Sequence, residues 1–206
     1  MAFGVLCFAG LPEAHAAGAG LYGSLGGGTA DWSPDTGHGF RKSVEHQSFG
    51  FALDTAPASD DVFNYNLNLG YEEFTNTNNN AWGKANLTGV LFSNCFGFGG
   101  KLSSNTRLWF GPELRFEWVD GKPSSANDFT IRLFGAGFGP VIGLNVNTGT
   151  HFTFVLKTGF QAMHYYGYGR GKFSHITNTT SATSEKYDYG TSEKLYYVTF
   201  EILAGP

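Results

Sequence analysis

The sequence predicts an all-β protein that folds as an eight-stranded antiparallel up-and-down transmembrane β-barrel. Three observations lead to this fold class: long strands with one aromatic and one polar face, connections that alternate in length, and a shortage of charged residues. Aromatic residues make up 17% of the 206-residue chain and charged residues only 15%, against about a quarter in ordinary soluble domains. The sequence contains no run of the ~18 apolar residues that a membrane helix requires, whereas strands of about 9–11 residues can cross a bilayer.

The third strand shows the two-faced pattern most clearly. Side chains of a strand alternate between its two faces, so every second residue shares a face. One face of residues 63–72 carries Phe63, Tyr65, Leu67, Leu69 and Tyr71, and the other carries Asn64, Asn66, Asn68, Gly70 and Glu72. Large apolar residues opposite small polar ones are typical of a barrel whose outer face meets lipid and whose polar face fills a narrow lumen.

The same alternation predicts seven further strands. The eight ranges are 20–30, 47–55, 62–75, 84–99, 106–119, 129–146, 151–165 and 194–204. The connections after the odd strands are 32–46, 76–83, 120–128 and 166–193, and they are longer than the connections 56–61, 100–105 and 147–150 after the even strands. Because bacterial barrels have short periplasmic turns and longer outer loops, we expect both termini on the periplasmic side.

The first 16 residues have the features of a signal peptide. Residues 4–11 form a short apolar core, and Ala14-His15-Ala16 places small residues where a signal peptidase recognises them. The sequence therefore predicts a signal peptide at 1–16 and an outer-membrane barrel domain at 17–206. Loss of Cys7 with the signal would leave Cys95 as a single cysteine, which cannot form an intrachain disulfide.

With these features the mature chain resembles the small eight-stranded outer-membrane barrels of Gram-negative bacteria, the group that includes the OmpA, OmpX and OmpW types. The resemblance extends over the whole chain from about Ala17. It depends on strand number, two-faced strands, loop asymmetry and the signal-like start, so it implies an architecture and an outer-membrane location.

The faces of the strands predict which side chains meet lipid. Ten residues of the apolar face are predicted to face lipid: Phe63, Leu67, Leu69, Phe110, Leu114, Phe138, Ile142, Phe154, Leu156 and Phe200. Tyr71, Trp118 and Tyr196 are predicted to lie near the membrane interfaces, where aromatic girdles form.

Charged residues on the opposite face predict a network inside the barrel. Its predicted members are Asp54, Glu72, Arg107, Glu113, Arg115, Glu117, Lys157 and Glu201. Lys157 and Glu201 lie at comparable depth on adjacent strands, which predicts a cross-strand pair. An eight-stranded lumen is only wide enough for side chains, so we interpret these charges as a plug of paired side chains. The alternative interpretation is a charged pore or proton path.

Two prolines interrupt this pattern. Pro112 and Pro140 fall inside the fifth and sixth strands, and proline cannot donate to a β-ladder. We therefore expect both at β-bulges.

No catalytic, metal or cofactor site is predicted. The histidines are scattered and lack the spacing of a metal site. A similarity to outer-membrane lipases of the lipid A deacylase type would require His164 or His175 to act with Ser174, but no further motif supports it. The prediction is that the protein is not an enzyme.

The sequence leaves three functions open. The first is a structural or surface-interaction barrel, whose partners are outer-membrane lipid and a surface ligand held by outer loops 32–46 and 166–193. The alternative is a narrow channel for small or hydrophobic solutes. The third is a soluble lipocalin-like barrel with the aromatic face turned inward. A net charge of −4 with no basic block argues against a nucleic-acid partner.

Overall fold

The chain folds into eight antiparallel strands that close into one barrel, as the sequence predicts. The structure is a computed structural model that describes residues 17–34, 40–57, 61–76, 84–124, 129–149, 151–171 and 185–205. The strands are β1 (Gly18–Pro34), β2 (Phe40–Asp54), β3 (Phe63–Asn76), β4 (Ala85–Ser103), β5 (Thr106–Pro123), β6 (Phe129–Asn147), β7 (Phe152–Gly171) and β8 (Glu185–Ala204). Each strand pairs with its sequence neighbours, and β8 pairs with β1. The described residues include no helix long and apolar enough to cross a membrane.

The register of the ladders fixes how far the strands tilt. Paired residues followed once around the barrel from Leu21 lead back to β1 at Asp31, which gives a shear of ten residues. Because shear and strand number together set the geometry, the strands tilt by about 35–45° from the barrel axis. Because the shear is even, a residue that points inward is paired with inward-pointing residues all the way around the closed barrel.

The strands extend further than the sequence predicts, and the outer loops 32–46 and 166–193 are wrong as loops over much of their length. β1 runs to Pro34 and β2 begins at Phe40, while β7 continues to Gly171 and β8 begins at Glu185. In the extensions of β1, β2 and β8 the described outward residues are polar or glycine, as at Arg41 and Ser192, whereas the β7 extension keeps Tyr166 exposed on the outside. The aromatic alternation is therefore interrupted although the ladder continues. Residues 1–16, 35–39, 77–83, 125–128 and 172–184 lie outside the described residues.

We call the end of the barrel at which β1 ends and β2 begins the loop end, and the opposite end, at which Ala17 and Gly205 lie, the terminal end. β1 runs from the terminal end to the loop end, and each following strand runs in the opposite direction to the one before it.

The two prolines are not at bulges. Pro112 faces Pro140 across β5 and β6, and the pairs on both sides keep the same register. Instead, pairing is interrupted between Cys95 and Phe98 on the β4 side of Pro112, and between Phe138 and Val141 on the β7 side of Pro140. Proline has no N–H to donate to the neighbouring strand, and this explains both gaps in pairing. No bulge, which would insert an extra residue, is needed.

Candidate functional site

The outer surface carries the predicted lipid-facing residues. Eight of the ten are exposed, from 37% for Leu114 to 67% for Phe110, and Leu67 and Phe154 are partly exposed. They belong to a continuous apolar band that also includes Leu21, Phe51 and Val198. That this band contacts lipid remains a proposal.

The three predicted interface aromatics lie at the loop-end border of the band. Tyr71, Trp118 and Tyr196 are all exposed. Two residues closer to the loop end, the outward position of each strand is Glu73, Asp120 and Lys194, respectively. The outer surface therefore changes from apolar to charged directly beyond these aromatic rings.

The barrel interior contains the predicted charge network. All eight predicted members are buried: Asp54, Glu72, Arg107, Glu113, Arg115, Glu117, Lys157 and Glu201. They lie at successive depths between the terminal end and the loop end.

At the terminal end, the described residues of the connection between β2 and β3 are bound by inward side chains of β5 and β6. Arg107 donates hydrogen bonds to the carbonyl oxygens of Ala56, Asp61 and Val62 at 3.0, 2.7 and 3.2 Å. Asp54 Oδ1 accepts the backbone N–H of Ala56 at 2.9 Å, and Asn145 Nδ2 donates to the Pro57 carbonyl at 3.0 Å. Arg107, predicted as a network member, thus binds backbone carbonyls and fixes this connection, in which Ala56 is 2% exposed.

Lys157 and Glu201 form the next group. Lys157 Nζ lies 2.8 Å from Glu201 Oε1 and 2.6 Å from Asn66 Oδ1, and it also donates to Asn68 Oδ1. The amide groups of Asn66 and Asn68 donate in turn to the two oxygens of Glu201 at 2.8 and 3.0 Å. The polar face of β3 therefore supplies both the acceptors for the ammonium and the donors for the carboxylate, so this buried ion pair is well satisfied.

Glu113 is bound by neutral donors in the middle of the lumen. Its Oε2 accepts from Gln161 Nε2 at 2.8 Å and from the Tyr197 hydroxyl, and its Oε1 accepts from the Ser93 hydroxyl. Charge-assisted hydrogen bonds of this kind offset part of the cost of burying a carboxylate.

The group nearest the loop end is centred on His46, and we call it the His46 cluster: His46, Glu72, Arg115, Glu117 and Glu193. His46 Nδ1 lies 2.6 Å from Glu72 Oε1, and His46 Nε2 lies 2.8 Å from Glu193 Oε1. Arg115 donates to Glu72 Oε1 at 2.9 Å and to Glu117 Oε1. A histidine with a carboxylate on each ring nitrogen and no other ligand must donate from both, as an imidazolium does.

Apolar side chains cover the His46 cluster on its loop-end side. The Phe74 ring stacks edge-on against the His46 ring, with centroids 4.8 Å apart, and it also contacts the rings of Trp32 and Tyr165. Around it are further buried inward residues: Ala30, Val44, Leu87, Val119, Phe129, Ile131 and Leu133. We call this group, with Trp32 and Phe74, the apolar cap. The sequence analysis expected a polar lumen throughout, and this expectation is wrong at the loop end.

Two members of the His46 cluster were missed because they fall in ranges that were assigned to loops. His46 was placed in loop 32–46 and Glu193 in loop 166–193, but both lie in strands and are 3% exposed. The alternation of inward and outward positions could have identified both residues. His46 shares its face with Ser48 and Asp54, and Glu193 shares its face with Tyr197 and Glu201.

Glycines on the inward face of the wall make room for the large interior side chains. A Cβ atom at Gly143 would overlap the Trp109 ring, one at Gly135 would overlap the Tyr165 ring, and one at Gly159 would overlap Tyr197. The alternating glycines of β6 thus reflect a crowded lumen.

One exposed histidine pairs with a serine. His164 Nδ1 lies 3.1 Å from Ser192 Oγ across β7 and β8 on the outer surface. Asp31 is the partner of Ser192 in β1, but its carboxylate receives two hydrogen bonds from Arg41 at 2.7 and 3.1 Å. Asp31 therefore lies beside Ser192 and binds Arg41. In a catalytic triad the acid instead binds the histidine, which in turn binds the serine. Ser174, His38 and His175 lie outside the described residues.

Comparisons with known proteins identify the same architecture. The chain is similar in structure to the outer membrane protein OprG from Pseudomonas aeruginosa, with a TM-score of 0.64 and 10% identity over 93% of this chain and 94% of that one. It also matches the neisserial surface protein NspA, with a TM-score of 0.36 and 14% identity over 88% of this chain and 98% of that one. Only the former similarity is close enough to support the fold. No protein-family model matches the sequence, and no curated protein does.

The fold is thus that of the eight-stranded outer-membrane barrels. The soluble lipocalin-like alternative is wrong, because it requires the aromatic face to line the interior. In the structure Phe110, Phe138 and Phe200 are exposed on the outside, while charged residues such as Lys157 and Glu113 are buried inside.

Proposed function

We propose that the protein is an outer-membrane barrel with a structural or surface-interaction role, and that its lumen is plugged by its own side chains. The apolar band supports the membrane location, because contiguous apolar surface of this extent is rare on soluble monomers. Outer-membrane lipid is then the partner of the band, and the loop end of the barrel is the surface available to a ligand or another cell.

The plug is supported above all by the way in which the interior is filled at every depth. Residues 55–57 and 61–62 of the β2–β3 connection are held at the terminal end, charged groups with their own partners occupy the middle, and the apolar cap occupies the loop end. An eight-stranded barrel encloses little more space than its side chains need. Ions would have to break several buried hydrogen bonds to pass, so we expect no steady conduction.

Single-channel recording tests this proposal. The folded chain inserted into planar lipid bilayers should give no stepwise current at neutral pH, and Arg115→Ala should remain silent while losing thermal stability in detergent. If Arg115→Ala keeps its stability and opens a larger ion current, the cluster is the constriction of a pore and the plug is wrong.

A narrow channel for small hydrophobic solutes is the second candidate. The apolar cap favours it, since Trp32, Phe74 and Phe129 give the loop-end mouth an apolar lining rather than a charged one. Vesicles that contain the protein would then take up a small aromatic solute faster than protein-free vesicles, and Phe74→Ala would change that rate. Equal uptake with and without the protein would exclude this function and leave the plugged barrel.

A further inference from the structure

The His46 cluster has the donor set of a metal site. One ring nitrogen of His46 and one carboxylate oxygen from each of Glu72 and Glu117 lie within 4.8 Å of one another. All three side chains are buried. They come from β2, β3 and β5, so the rigid wall of the barrel sets their positions.

Two carboxylate oxygens in this cluster have no hydrogen-bond partner among the described residues. Oε1 of Glu72 accepts from His46 and Arg115, but Oε2 of Glu72 is buried without a partner. Oε2 of Glu193 is in the same condition, while its Oε1 pairs with His46. A buried charged oxygen without a donor costs free energy. These two atoms therefore point to a cation that the protein alone does not supply.

The buried charges lead to the same conclusion. Among the described residues the interior holds six carboxylates: Asp54, Glu72, Glu113, Glu117, Glu193 and Glu201. It holds four Lys or Arg side chains: Lys42, Arg107, Arg115 and Lys157. A protonated His46 leaves one negative charge unbalanced. A divalent ion bound to neutral His46 balances all of them, and within the His46 cluster three glutamates face a single arginine, Arg115.

We propose that the His46 cluster binds one divalent transition-metal ion, with His46 Nδ1, Glu72 and Glu117 as its protein ligands. Binding releases the proton from His46 Nδ1, whose lone pair then binds the metal, while the Nε2 proton stays hydrogen-bonded to Glu193. A carboxylate that orients the second nitrogen of a metal-bound histidine is a recurrent feature of such sites. One imidazole with carboxylates suits Zn²⁺, Mn²⁺, Fe²⁺ or Co²⁺ better than Ca²⁺ or Mg²⁺, which prefer oxygen alone.

Arg115 and Tyr165 would hold the two glutamates in place while they bind the ion. Arg115 binds Oε1 of both Glu72 and Glu117, and the Tyr165 hydroxyl donates to Glu117 Oε2 at 2.7 Å. The unpartnered Oε2 of Glu72 is free to bind the metal without breaking these contacts. The ion would then link three strands of the wall and act as an internal brace.

Burial predicts how the ion enters and leaves. Phe74 lies directly against His46 on the loop-end side, and the rest of the apolar cap lies above it. We therefore expect loading during refolding to be efficient and exchange from the folded barrel to be slow. Ions bound at exposed histidines such as His164 would exchange at once, and this difference separates the two kinds of site.

The test is to refold the full chain into detergent micelles with Zn²⁺ or Co²⁺, challenge it with a chelator, and count the retained ions. The wild type and the control His164→Asn should each retain one ion per barrel. Glu72→Gln and His46→Gln should retain none, and Glu193→Gln should bind about 10–100-fold more weakly, as expected for a residue that orients a ligand.

Two outcomes overturn the proposal: a wild-type barrel that retains no ion after the chelator, or a His46→Gln barrel that retains as much as the wild type. X-ray absorption of the zinc-loaded wild type provides a readout that does not depend on the folding of the variants. A shell with one imidazole and carboxylate oxygens supports the site, and a shell without imidazole refutes it.

Discussion

At the scale of single residues, the alternation of the chain is enough to say which side chains point inward, but not which partners they find. Glu72, Glu113 and Arg115 were placed in the lumen by parity alone. The hydrogen-bond partners of Glu113, which are Ser93, Gln161 and Tyr197, were not foreseen, because they are common polar residues whose roles depend on the register between strands. His46 and Glu193 escaped detection for another reason. Beyond the apolar band the outward residues next to His46 and Glu193 are polar, so the pattern that marked the strands is lost there.

Arg115 gives the sharpest test at this scale. It is buried and binds both Glu72 and Glu117, so Arg115→Ala leaves Glu117 without its arginine and Glu72 with His46 alone. Breaking a buried pair typically costs about 3–5 kcal/mol, and we expect a loss of this order in the free energy of unfolding, measured by denaturant titration in detergent. Arg41→Ala removes an equally short ion pair with Asp31 on the exposed surface and should change stability little. Equal losses in the two variants would contradict the burial argument.

At the scale of the elements, the existence and order of the eight strands were predictable, while their ends were not. Membrane strands are long and regular, and every second residue reports on lipid or lumen, so the central portions of β3 and β5 stand out. The extension of β2 has polar Arg41 outside and apolar Val44 inside, but Lys42 and His46 are buried there as well. In the extension of β8 the buried inward residues Thr191 and Glu193 are polar. The alternation of an apolar outer face with a polar inner face is therefore lost in both extensions.

The β7–β8 ladder supplies a prediction about coupling between elements. Lys157 and Glu201 form a buried ion pair whose remaining donors and acceptors are satisfied by β3. Lys157→Met should destabilise the barrel by about 3–5 kcal/mol, because Glu201 then stays buried without its cation. The double variant Lys157→Met/Glu201→Gln should lose less than the sum of the single losses. A double-mutant cycle of unfolding free energies measures the difference, and strict additivity would show that the two groups do not interact.

The connection between β2 and β3 gives a further prediction for an element. Arg107 binds three carbonyl oxygens of this connection, so Arg107→Ala should release it from the terminal-end mouth. A cysteine introduced by Ala56→Cys, in a background with Cys95→Ser, should then react faster with a maleimide in the folded barrel. Lys122→Ala removes an exposed cation at the other end and should leave the rate unchanged. An unaltered rate in Arg107→Ala would mean that other contacts hold the connection in place.

At the scale of the whole molecule, the barrel has two regions of different polarity. Along the apolar band the apolar side chains are outside and the polar ones inside, which is the reverse of a soluble domain. At the loop end apolar side chains are inside, as they are in a soluble domain. Composition and parity were enough to predict the apolar outer band. The apolar cap was not predictable without the closed barrel, because Phe74, Leu87 and Val119 share parity with polar residues in their own strands. These three side chains form a cap only when the strands curve together. The width of the band can therefore be tested by placing charge at different heights on one strand.

Phe200 and Ser192 provide the two heights. Both are outward residues of β8, but Phe200 lies within the apolar band and Ser192 lies beyond Lys194, on the charged side of its border. An arginine facing lipid near the middle of a bilayer costs about 2–4 kcal/mol, and one near the interface about 0–1 kcal/mol. We expect Phe200→Arg to lower the free energy of unfolding in lipid vesicles by the larger amount and Ser192→Arg by the smaller one. In buffer without detergent, neither variant should be more soluble as a monomer than the wild type. If Phe200→Arg is tolerated as well as Ser192→Arg in vesicles, the band does not face lipid, because a charge buried in hydrocarbon cannot be as stable as one at the headgroups.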